Sequence, residues 1–407
     1  MTKLFVEQLQ ITGKRVLVRV DFNVPLGGEG NVLDATRIDA SIPTIRYILS
    51  QGGSVILMSH LGRPQGAPDP AYSLKPCVSF VKAALDKPVT FIPNCIGRDA
   101  RKATSELKPG NILMLENLRF YRAEEFPEED PEFAQTLASY GDLYVNDAFG
   151  TAHRKHSSTY TITQYFSDKA AAGYLLQKEI NFIGSTLSQP KRPFYALIGG
   201  AKISTKIGVL RALLERVDAL LIGGAMSYTF LKAMGREIGN SLCETELVPV
   251  AEEIIASCNK KGIKLLLPVD VVAAESESER AKWEIISTEQ GIPAHLEGVD
   301  IGPKTVDLFS SELKTAKTIL WNGPLGIFEM APFAKGTFAL ARAIAASQAV
   351  SIIGGGDLIS AVNASGVAEQ MTHLSTGGGA TLEYIEYGTL PAIEALSEMP
   401  ASSRPIS

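Results

Sequence analysis

The stretch "IIGGGDLISAV" at residues 352–362 joins an apolar run, three glycines, an acid and a second apolar segment. The first apolar run is typical of a buried strand, and the second has the spacing of a helix. Glycines between a strand and a helix leave backbone N–H groups open to an anion. The stretch therefore predicts a strand, a tight turn and a helix. It leaves open whether Gly354 to Asp357 bind phosphate or only form a corner.

Short apolar runs alternate with longer helical patterns along the whole chain. The first part contains "RVLVRVDF", "SVILMSH", "VTFIP", "NILMLEN" and "LYVNDAF". The second part contains "FYALIGGAK", "ALLIGGAM", "KLLLPVDVVAA", "TILWNGPLG" and "VSIIGGG". This alternation predicts parallel sheets covered by helices on both faces. Most runs end in polar residues or glycine, where the ligands of open α/β sheets bind.

A boundary between two lobes is indicated near the middle of the chain. "AAAGYLLQKEINFIGSTL" has helical spacing, and the polar, proline-containing loop "SQPKRP" follows it. We therefore expect a first lobe over residues 1–172, an interdomain helix and linker over 173–189, and a second lobe from residue 190.

Composition excludes several classes of protein. A chain of 407 residues with 45% hydrophobic side chains can bury large cores. Its net charge of -5 argues against a general nucleic-acid binder. The four cysteines show no zinc spacing, and we interpret them as simple thiols. The start lacks a signal peptide, and no apolar stretch approaches ~18 residues, so we expect a cytoplasmic protein without a membrane partner.

Two common nucleotide signatures are absent from the sequence. The Gly13-Lys14 pair has no glycine five places before it, which excludes a P-loop there. No strand is followed by Gly-x-Gly-x-x-Gly, the fingerprint of dehydrogenase dinucleotide folds. Any phosphate site must therefore be built in another way.

Basic side chains follow or flank the predicted strand ends of the first lobe. Arginine forks suit phosphate and carboxylate oxygens, and several converging forks would bind a small anion with multiple charges. Taken singly, each arginine is more readily explained as a solvated surface residue, but the set at strand ends favours a site. His60 has the alternative of a core histidine, and Asp21 with Asn23 that of a structural turn. The residues of interest are Asp21, Asn23, Arg37, His60, Arg63, Arg119, His153, Arg154 and His156.

Glycines follow the predicted strands of the second lobe. After Gly199-Gly200, Lys202 and Lys206 are predicted on the first turns of a helix, with both ammonium groups on one face. A pair of solvated surface lysines is the alternative reading. Gly377 to Gly379 offer a second helix start for an anion.

The stretch "TILWNGPLGIFE" adds a carboxylate to this lobe. Pro324 follows a strand end, and Glu329 is placed to accept hydrogen bonds from ribose hydroxyls, although a plain turn with a surface Glu is the alternative. A lobe rich in arginine and a lobe rich in glycine and lysine suit phosphoryl transfer, in which the protein positions two substrates and neutralises charge.

Eight motifs in order resemble the phosphoglycerate kinase family over about residues 15–385. They are "VRVDFNVP", "SHLGRP", "LENLRF", "VNDAFGTAHR", "GGAKISTK", "WNGPLGIFE", "IIGGGD" and "STGGGA". The resemblance implies an α/β chain of two Rossmann-like lobes, each a mostly parallel sheet flanked by helices, joined by a connecting helix and hinge. The nucleotide lobe would span 190–390, and residues 391–407 would pack back on the N-terminal lobe.

The resemblance also implies an activity. It indicates a monomeric, cytoplasmic enzyme of glycolysis that reversibly moves the 1-phosphate of 1,3-bisphosphoglycerate to ADP, with Mg²⁺ as cofactor, giving 3-phosphoglycerate and ATP. In the ATP-consuming direction the nucleophile is the substrate's carboxylate, which is already ionised, so no catalytic base is needed. Charge stabilisation and lobe closure that excludes water would drive the reaction.

Site residues are carried over from the matching motifs. The catalytic set is Arg37, Lys202, Gly355 and Gly378. The set for the three-carbon acid is Asp21, Phe22, Asn23, Arg37, His60, Leu61, Gly62, Arg63, Arg119 and Arg154. The nucleotide set is Lys202, Lys206, Gly223, Gly224, Gly298, Asn322, Pro324, Glu329, Gly355, Gly356, Asp357 and Leu358. Asp357 would bind Mg²⁺ together with the nucleotide phosphates.

The chain departs from the family pattern at two places. Leu358 follows "GGGD" where the family usually has Ser or Thr, which removes a hydroxyl that could reach a phosphate. "YRAEE" at residues 121–125 replaces the common His-x-Glu-Glu. A non-catalytic nucleotide-binding protein with the same lobes is the alternative function, with Leu358 as its only support. A dehydrogenase with atypical glycine turns is a weaker one.

Overall fold

Parallel strands form the centre of the first unit in this computed structural model, which describes residues 3–28 and 30–399. Within those residues the sheet has six strands in the order β3-β4-β2-β1-β5-β6, all paired in parallel. The strands are β1 Arg15–Val20, β2 Ser54–Met58, β3 Val89–Ile92, β4 Ile112–Leu115, β5 Leu143–Asp147 and β6 Ala170–Ala172. β1 and β2 are buried almost throughout, as expected for strands covered on both faces.

Amphipathic helices cover this sheet. In the first of them Ile38, Ile42 and Ile45 recur at helical spacing, are buried, and join the core with Val16 and Val18 of β1. The helices of this unit are α1 Thr36–Ser50, α2 Cys77–Leu85, α3 Arg98–Ser105, α4 Arg122–Glu125 and α5 Pro131–Ala138, and α6 Tyr174–Ser188 follows β6.

A second parallel sheet forms the centre of the other unit. Its strand order is β15-β14-β13-β7-β8-β9. The strands are β7 Phe194–Ile198, β8 Ala219–Ile222, β9 Lys264–Leu266, β13 Thr318–Asn322, β14 Val350–Gly354 and β15 His373–Ser375. Asn322 is in register with both Ile198 and Gly354, so the glycine turns after β7, β13 and β14 lie at one edge of the sheet. The predicted pair of helix-covered parallel sheets is confirmed.

One part of the second unit was not predicted. The stretch "KLLLPVDVVAA", quoted above as one apolar run, forms two strands, β9 and β10, with Pro268 between them. The bounds in this small sheet are β10 Asp270–Ala274, β11 Trp283–Ser287 and β12 Glu297–Ile301. β10 pairs in an antiparallel manner with both neighbours, in the order β11-β10-β12. Proline cannot donate to a strand ladder, which explains the break.

Seven helices that follow α6 lie between or beside these strands in the described part of the second unit. They are α7 Ile207–Leu213, α8 Met226–Ala233, α9 Val248–Lys261, α10 Pro303–Leu313, α11 Lys335–Ala345, α12 Gly356–Ala364 and α13 Gly379–Tyr387. The core between them and the sheet includes Trp321, Phe309 and Leu358, all fully buried. No helix among the described residues is both long enough and apolar enough to span a membrane.

The chain divides into two units within α6. The first unit comprises residues up to Asn181 and those from Thr389 onward, and the second comprises Phe182–Gly388. A final helix, α14 Pro391–Glu394, belongs to the first unit, where Ala392 N donates to Ala152 O over 3.0 Å. Residues 400–407 of the expected C-terminal segment lie outside the described residues.

Removing one apolar side chain from the C-terminal residues that belong to the first unit, which begin at Thr389, should destabilise that unit. Leu396 is 3% exposed, whereas Leu33 in the same unit is 64% exposed. We expect Leu396→Ala to lower the free energy of unfolding by about 3 kcal/mol through lost burial and the cavity left behind. Leu33→Ala should change it by less than about 0.5 kcal/mol. Denaturant unfolding followed by far-UV circular dichroism measures both. Equal effects of the two variants would contradict this packing.

Candidate active site

Polar groups at the strand ends of the first unit form one connected network. Arg37 of α1 pairs with Asp21 after β1, with Nη1 and Oδ2 2.6 Å apart. Asn23 N donates to Asp21 Oδ1, and Gly62 N, after β2, donates to Asn23 Oδ1 over 2.8 Å. Asp21 is nearly buried, while the Arg37 side chain keeps 35% exposure. Asp21 and Asn23 therefore form the turn and also orient an arginine that a ligand can reach.

A second arginine pair is built around a carboxylate. Arg119 Nη1 donates to Gly62 O over 2.8 Å, and its Nη2 lies 3.2 Å from Glu125 Oε1. Arg154 Nη1 lies 4.0 Å from the same oxygen. Burial lowers the pKa of Arg119, and the charge of Glu125 opposes that shift. Glu125 was not among the predicted site residues; the signal for it was the acidic pair that ends "YRAEE".

His60 lies beneath these arginines. Its ring is buried, and Nδ1 lies 3.2 Å from Arg19 Nη2. Burial, assisted by the positive charges of Arg19 and Arg119, holds the pKa of His60 well below its usual range. His60 is therefore neutral at pH 7. Arg63, three residues further along the chain, is exposed.

Two predicted substrate residues have side chains that face the core. Phe22 is fully buried and Leu61 is 3% exposed, and both belong to the core of the first unit. Phe22 N donates to Ser59 Oγ over 2.8 Å. A contact between either residue and a ligand would therefore have to come from its backbone.

The glycine turns of the second unit pack against one another. Gly323 has φ +87°, and a Cβ there would lie 2.4 Å from Gly199 O. A Cβ on Gly224 would lie 2.7 Å from Gly200 N, and one on Gly223 would lie 2.6 Å from the Leu325 side chain. Backbone bonds tie the turns together, since Gly200 N donates to Pro324 O over 2.8 Å. Gly323 and Gly224 are required by the close approach of backbones, and Gly223 by the packing of Leu325.

A cavity of about 250 Å³ opens beside these turns. Among the predicted nucleotide residues it is lined by Gly224, Gly298, Pro324, Glu329 and Asp357. A Cβ on Gly298 would overlap the Tyr228 hydroxyl, so glycine keeps this wall open. Apolar side chains that the sequence did not single out complete the lining, namely Leu242, Val299, Leu325 and Ile327. Glycine backbone and aliphatic walls suit a flat aromatic ring, and Glu329 and Asp357 add carboxylates to the lining.

Two helices of this unit begin with N–H groups open to an anion. α12 begins after Gly355, which has φ +108°, and its first helical bond runs from Ile359 N to Gly355 O. The N–H groups of Gly356, Asp357 and Leu358 precede that bond and have no partner within the helix. α13 begins in the same way after Gly378, at φ +54°. Both helix starts carry partial positive charge.

Lys206 points toward the first of these helix starts. Its Nζ donates to Asn322 Oδ1, and Asn322 Nδ2 donates to Gly354 O over 2.8 Å. Asn322 is 2% exposed, so it positions Lys206 rather than presenting its own side chain to a ligand. Burial lowers the pKa of Lys206 to about 8, and the carboxylate of Asp357 acts against that shift.

The predicted placement of the two lysines on one helix face is wrong. α7 begins only at Ile207, with Lys206 at its N-cap, and Lys202 lies in the preceding turn, where it is exposed. Two hydrogen bonds close this turn. Thr205 Oγ1 donates to Lys202 O, and Lys206 N donates to Ile203 O. Side chains of Ser and Thr that bond to nearby backbone favour such turns over a helix.

Leu358 also takes part in the core of the second unit. Its side chain is fully buried in the core of the second unit, packed with Trp321 and Ile353. Leu358 can therefore reach an anion only through its N–H, and the core supplies the reason for an apolar residue at this position.

The low pKa of Lys206 predicts a pH dependence of nucleotide affinity. With a nucleotide phosphate bound beside Lys206, the charged lysine would be favoured. Above pH 8, binding would then take up a proton, and the affinity for ADP would fall as pH rises, by up to about tenfold per pH unit. Lys206→Arg stays charged and should flatten the profile. Calorimetric titration with ADP between pH 7 and 9.5 measures both proteins. If ADP affinity depends on pH with the same slope in the wild type and in Lys206→Arg, Lys206 is not the group that takes up the proton.

Comparison with known proteins identifies the family of this chain. The family model described as phosphoglycerate kinase matches residues 6–387. The chain belongs to the phosphoglycerate kinase family. The phosphoglycerate kinase of Chlamydia trachomatis is 50% identical over 99% of this chain and 100% of its own length, and that of Koribacter versatilis is 51% identical over 98% and 100%.

Solved phosphoglycerate kinases share the fold as well. The structure from Coxiella burnetii is 38% identical with a TM-score of 0.86, and that from Pyrococcus horikoshii is 31% identical with a TM-score of 0.84. Each comparison covers 97% of this chain and 98% of the other. The family makes the chain a kinase, and hence a phosphotransferase.

Proposed function

We propose that this phosphoglycerate kinase reversibly transfers the acyl phosphate of 1,3-bisphosphoglycerate to ADP, giving 3-phosphoglycerate and ATP in glycolysis and gluconeogenesis. The observation that carries the proposal at residue level is the cavity in the second unit. Five predicted nucleotide residues line it, and one of them, Asp357, stands at the open start of α12. A ring pocket next to a phosphate cradle is what a nucleotide requires.

The first unit would bind the three-carbon acid. Arg37, Arg63 and Arg154 offer guanidinium groups with exposed surface, and Arg119 and His60 lie beneath. An acid with a carboxylate and a phosphate matches this concentration of positive charge. We assign residues 1–172 to the acid lobe, 190–390 to the nucleotide lobe, and 391–407 to the segment that returns to the first.

The second unit would bind ATP or ADP. The base would occupy the cavity between Gly224 and Gly298, and Glu329 would accept hydrogen bonds from the ribose. The phosphates would lie at the starts of α12 and α13, next to Gly355 and Gly378. Lys206 and exposed Lys202 would supply positive charge there.

Magnesium would enter with the nucleotide. Asp357 is exposed on the first turn of α12. No group of three or more His, Cys, Asp or Glu side chains that could hold a metal occurs among the described residues. One carboxylate combined with phosphate oxygens is how Mg²⁺ is commonly held in kinases, so these residues fit the ion. When bound, it neutralises charge on the nucleotide phosphates.

Charge stabilisation, without a catalytic base, would accelerate the transfer. The attacking carboxylate of 3-phosphoglycerate is ionised at neutral pH, so no residue needs to remove a proton from it. Arg37 from the first unit and Lys202 from the second would stabilise the negative charge on the moving phosphoryl group. Helix starts at Gly355 and Gly378 would add fixed partial charges.

The family likeness also supports a monomer that works in the cytoplasm with small-molecule substrates only. Sedimentation analysis of the purified protein tests the oligomeric state, and a stable dimer would overturn that part of the proposal.

A coupled assay tests the activity. The purified protein with Mg²⁺, ATP and 3-phosphoglycerate should produce ADP and 1,3-bisphosphoglycerate, detected as NADH oxidation when glyceraldehyde-3-phosphate dehydrogenase is added. Omitting 3-phosphoglycerate is the control. A protein that binds ADP but turns over no 3-phosphoglycerate would be the non-catalytic binder instead. NADH binding without turnover would favour a dehydrogenase.

A further inference from the structure

Arg19 is a fully buried arginine that the assignments above leave without a role. It lies on β1, and its side chain has no exposed surface. Its Nε donates to Ser158 Oγ over 2.8 Å, its Nη1 donates to Val20 O, and its Nη2 lies 3.2 Å from His60 Nδ1. A buried guanidinium at hydrogen-bond distance from a histidine of the acid site constrains that histidine.

A buried carboxylate balances the charge of Arg19. Glu124 has no exposed surface, and its Oε1 lies 3.8 Å from Arg19 Nη2. Ser158 donates to Glu124 through both its N–H and its hydroxyl, over 3.1 and 2.6 Å. Because Ser158 Oγ also accepts from Arg19, Ser158 and Glu124 together hold the guanidinium in a fixed orientation.

The N–H groups of Arg19 determine which tautomer the His60 ring adopts. Arginine has only N–H groups to offer, so the atom that faces Nη2 must present a lone pair. Nδ1 of His60 therefore carries no proton, and the proton of the neutral ring is on Nε2. The opposite tautomer would bring two N–H groups face to face in a buried place.

We propose that Arg19 is a positioning residue that holds His60 as the neutral Nε2–H tautomer, so that His60 donates one hydrogen bond to an oxygen of the acid substrate. The role of the hydrogen bond rests on the proposed binding of 3-phosphoglycerate in the first unit. The tautomer itself does not depend on that function.

The surroundings keep the ring neutral. Positive or titratable groups that act on His60 come from several elements, namely Arg19 of β1, Arg37 of α1, Arg119 after β4, and His156. Burial and these charges lower the pKa of His60, and the pKa of His156 is itself lowered to about 3, chiefly by burial. Both effects favour the neutral form of the His60 ring, which has one N–H to donate.

Nitrogen NMR of the free protein tests the tautomer. Long-range proton–nitrogen correlation of ¹⁵N-histidine-labelled protein should show one ring with a protonated Nε2 and a bare Nδ1, unchanged between pH 6 and 8. His60→Gln identifies that ring among the five histidines by removing its signals. A protonated Nδ1, or titration within that pH range, would overturn the proposal.

Two pairs of variants test the positioning and the hydrogen bond. Arg19→Met in a Glu124→Gln background, compared with Glu124→Gln alone, should give His60 a mixture of tautomers. It should also raise the KM for 3-phosphoglycerate roughly five- to tenfold while the KM for ATP stays constant. An unchanged tautomer would remove Arg19 from the role. If the double variant does not fold, the NMR spectrum of the wild-type protein still tests the tautomer of His60.

The comparison of His60→Gln with His60→Asn isolates the donor. The glutamine amide nitrogen reaches the place of Nε2, whereas that of asparagine reaches only the place of Nδ1. His60→Gln should therefore retain affinity for 3-phosphoglycerate that His60→Asn loses, and equal losses would contradict the donor. Absence of any turnover in the wild type would refute the proposed function but not the tautomer.

Discussion

Arg37→Ala should lower kcat by roughly 10²- to 10³-fold, which corresponds to about 3 to 4 kcal/mol of transition-state stabilisation. Its guanidinium is the partly exposed one that Asp21 orients at 2.6 Å, so its position is fixed before any substrate binds. Preorganised charge is most effective on the group whose charge changes during the reaction. Because Arg37 lies in the first unit, the Kd for ADP should change little.

Arg46→Ala is the matched control for this experiment. Arg46 lies on the same helix, α1, is exposed, and donates to Ala84 O over 3.0 Å. Its removal should leave kcat within about twofold, as expected for a surface residue away from the site. Steady-state kinetics of both variants, with ADP titrations, make the comparison. Parallel losses of ADP affinity and kcat in Arg37→Ala would contradict its placement with the acid.

Gly323→Ala should be among the most damaging single substitutions in the second unit. The residue has φ +87°, where side chains are strained, and its Cβ would lie 2.4 Å from Gly199 O and 2.6 Å from Gly199 C. Those neighbours are backbone atoms of the turn after β7, so they cannot rotate away. We expect a loss of about 3 to 5 kcal/mol in the free energy of unfolding and a severe loss of ADP affinity.

Gly356→Ala is the control for Gly323→Ala, because it also replaces a glycine but does not crowd a neighbouring backbone. Gly356 is the first residue of α12, and of the described atoms none lies within 4 Å of a Cβ placed there. We expect its free energy of unfolding to stay within about 0.5 kcal/mol of the wild type. Thermal unfolding of both variants without ligand provides the measurement. Equal stability of Gly323→Ala and Gly356→Ala would show that the crossing turns do not need glycine.

The fold was predictable because its main pattern is local. Apolar runs such as residues 55–58 and 352–353 end in polar residues or glycine, and this pattern indicates buried parallel strands. The antiparallel β10 was missed because its composition resembles that of the parallel strands. Its pairing with β11 and β12 is a tertiary choice that periodicity does not encode.

The sequence predicted candidate site residues by type, but it could not predict which of their side chains are buried. Arg37 and Asp357 lie where strand-end reasoning expects ligands. Phe22, Leu61 and Asn322 have buried side chains, which a single sequence cannot reveal, since burial depends on neighbours distant in the chain. Glu125 and Arg19 were missed for the same reason: their importance comes from the arginines and histidine that the fold places beside them.

A crystal structure with 3-phosphoglycerate and ADP bound would test the central claim most directly. The account predicts the base in the cavity between Gly224 and Gly298, with phosphates at the start of α12. It predicts the acid at Arg37 and Arg63, with one of its oxygens accepting from His60 Nε2. A base outside that cavity, or an acid bound away from those arginines, would contradict the division of substrates between the two units.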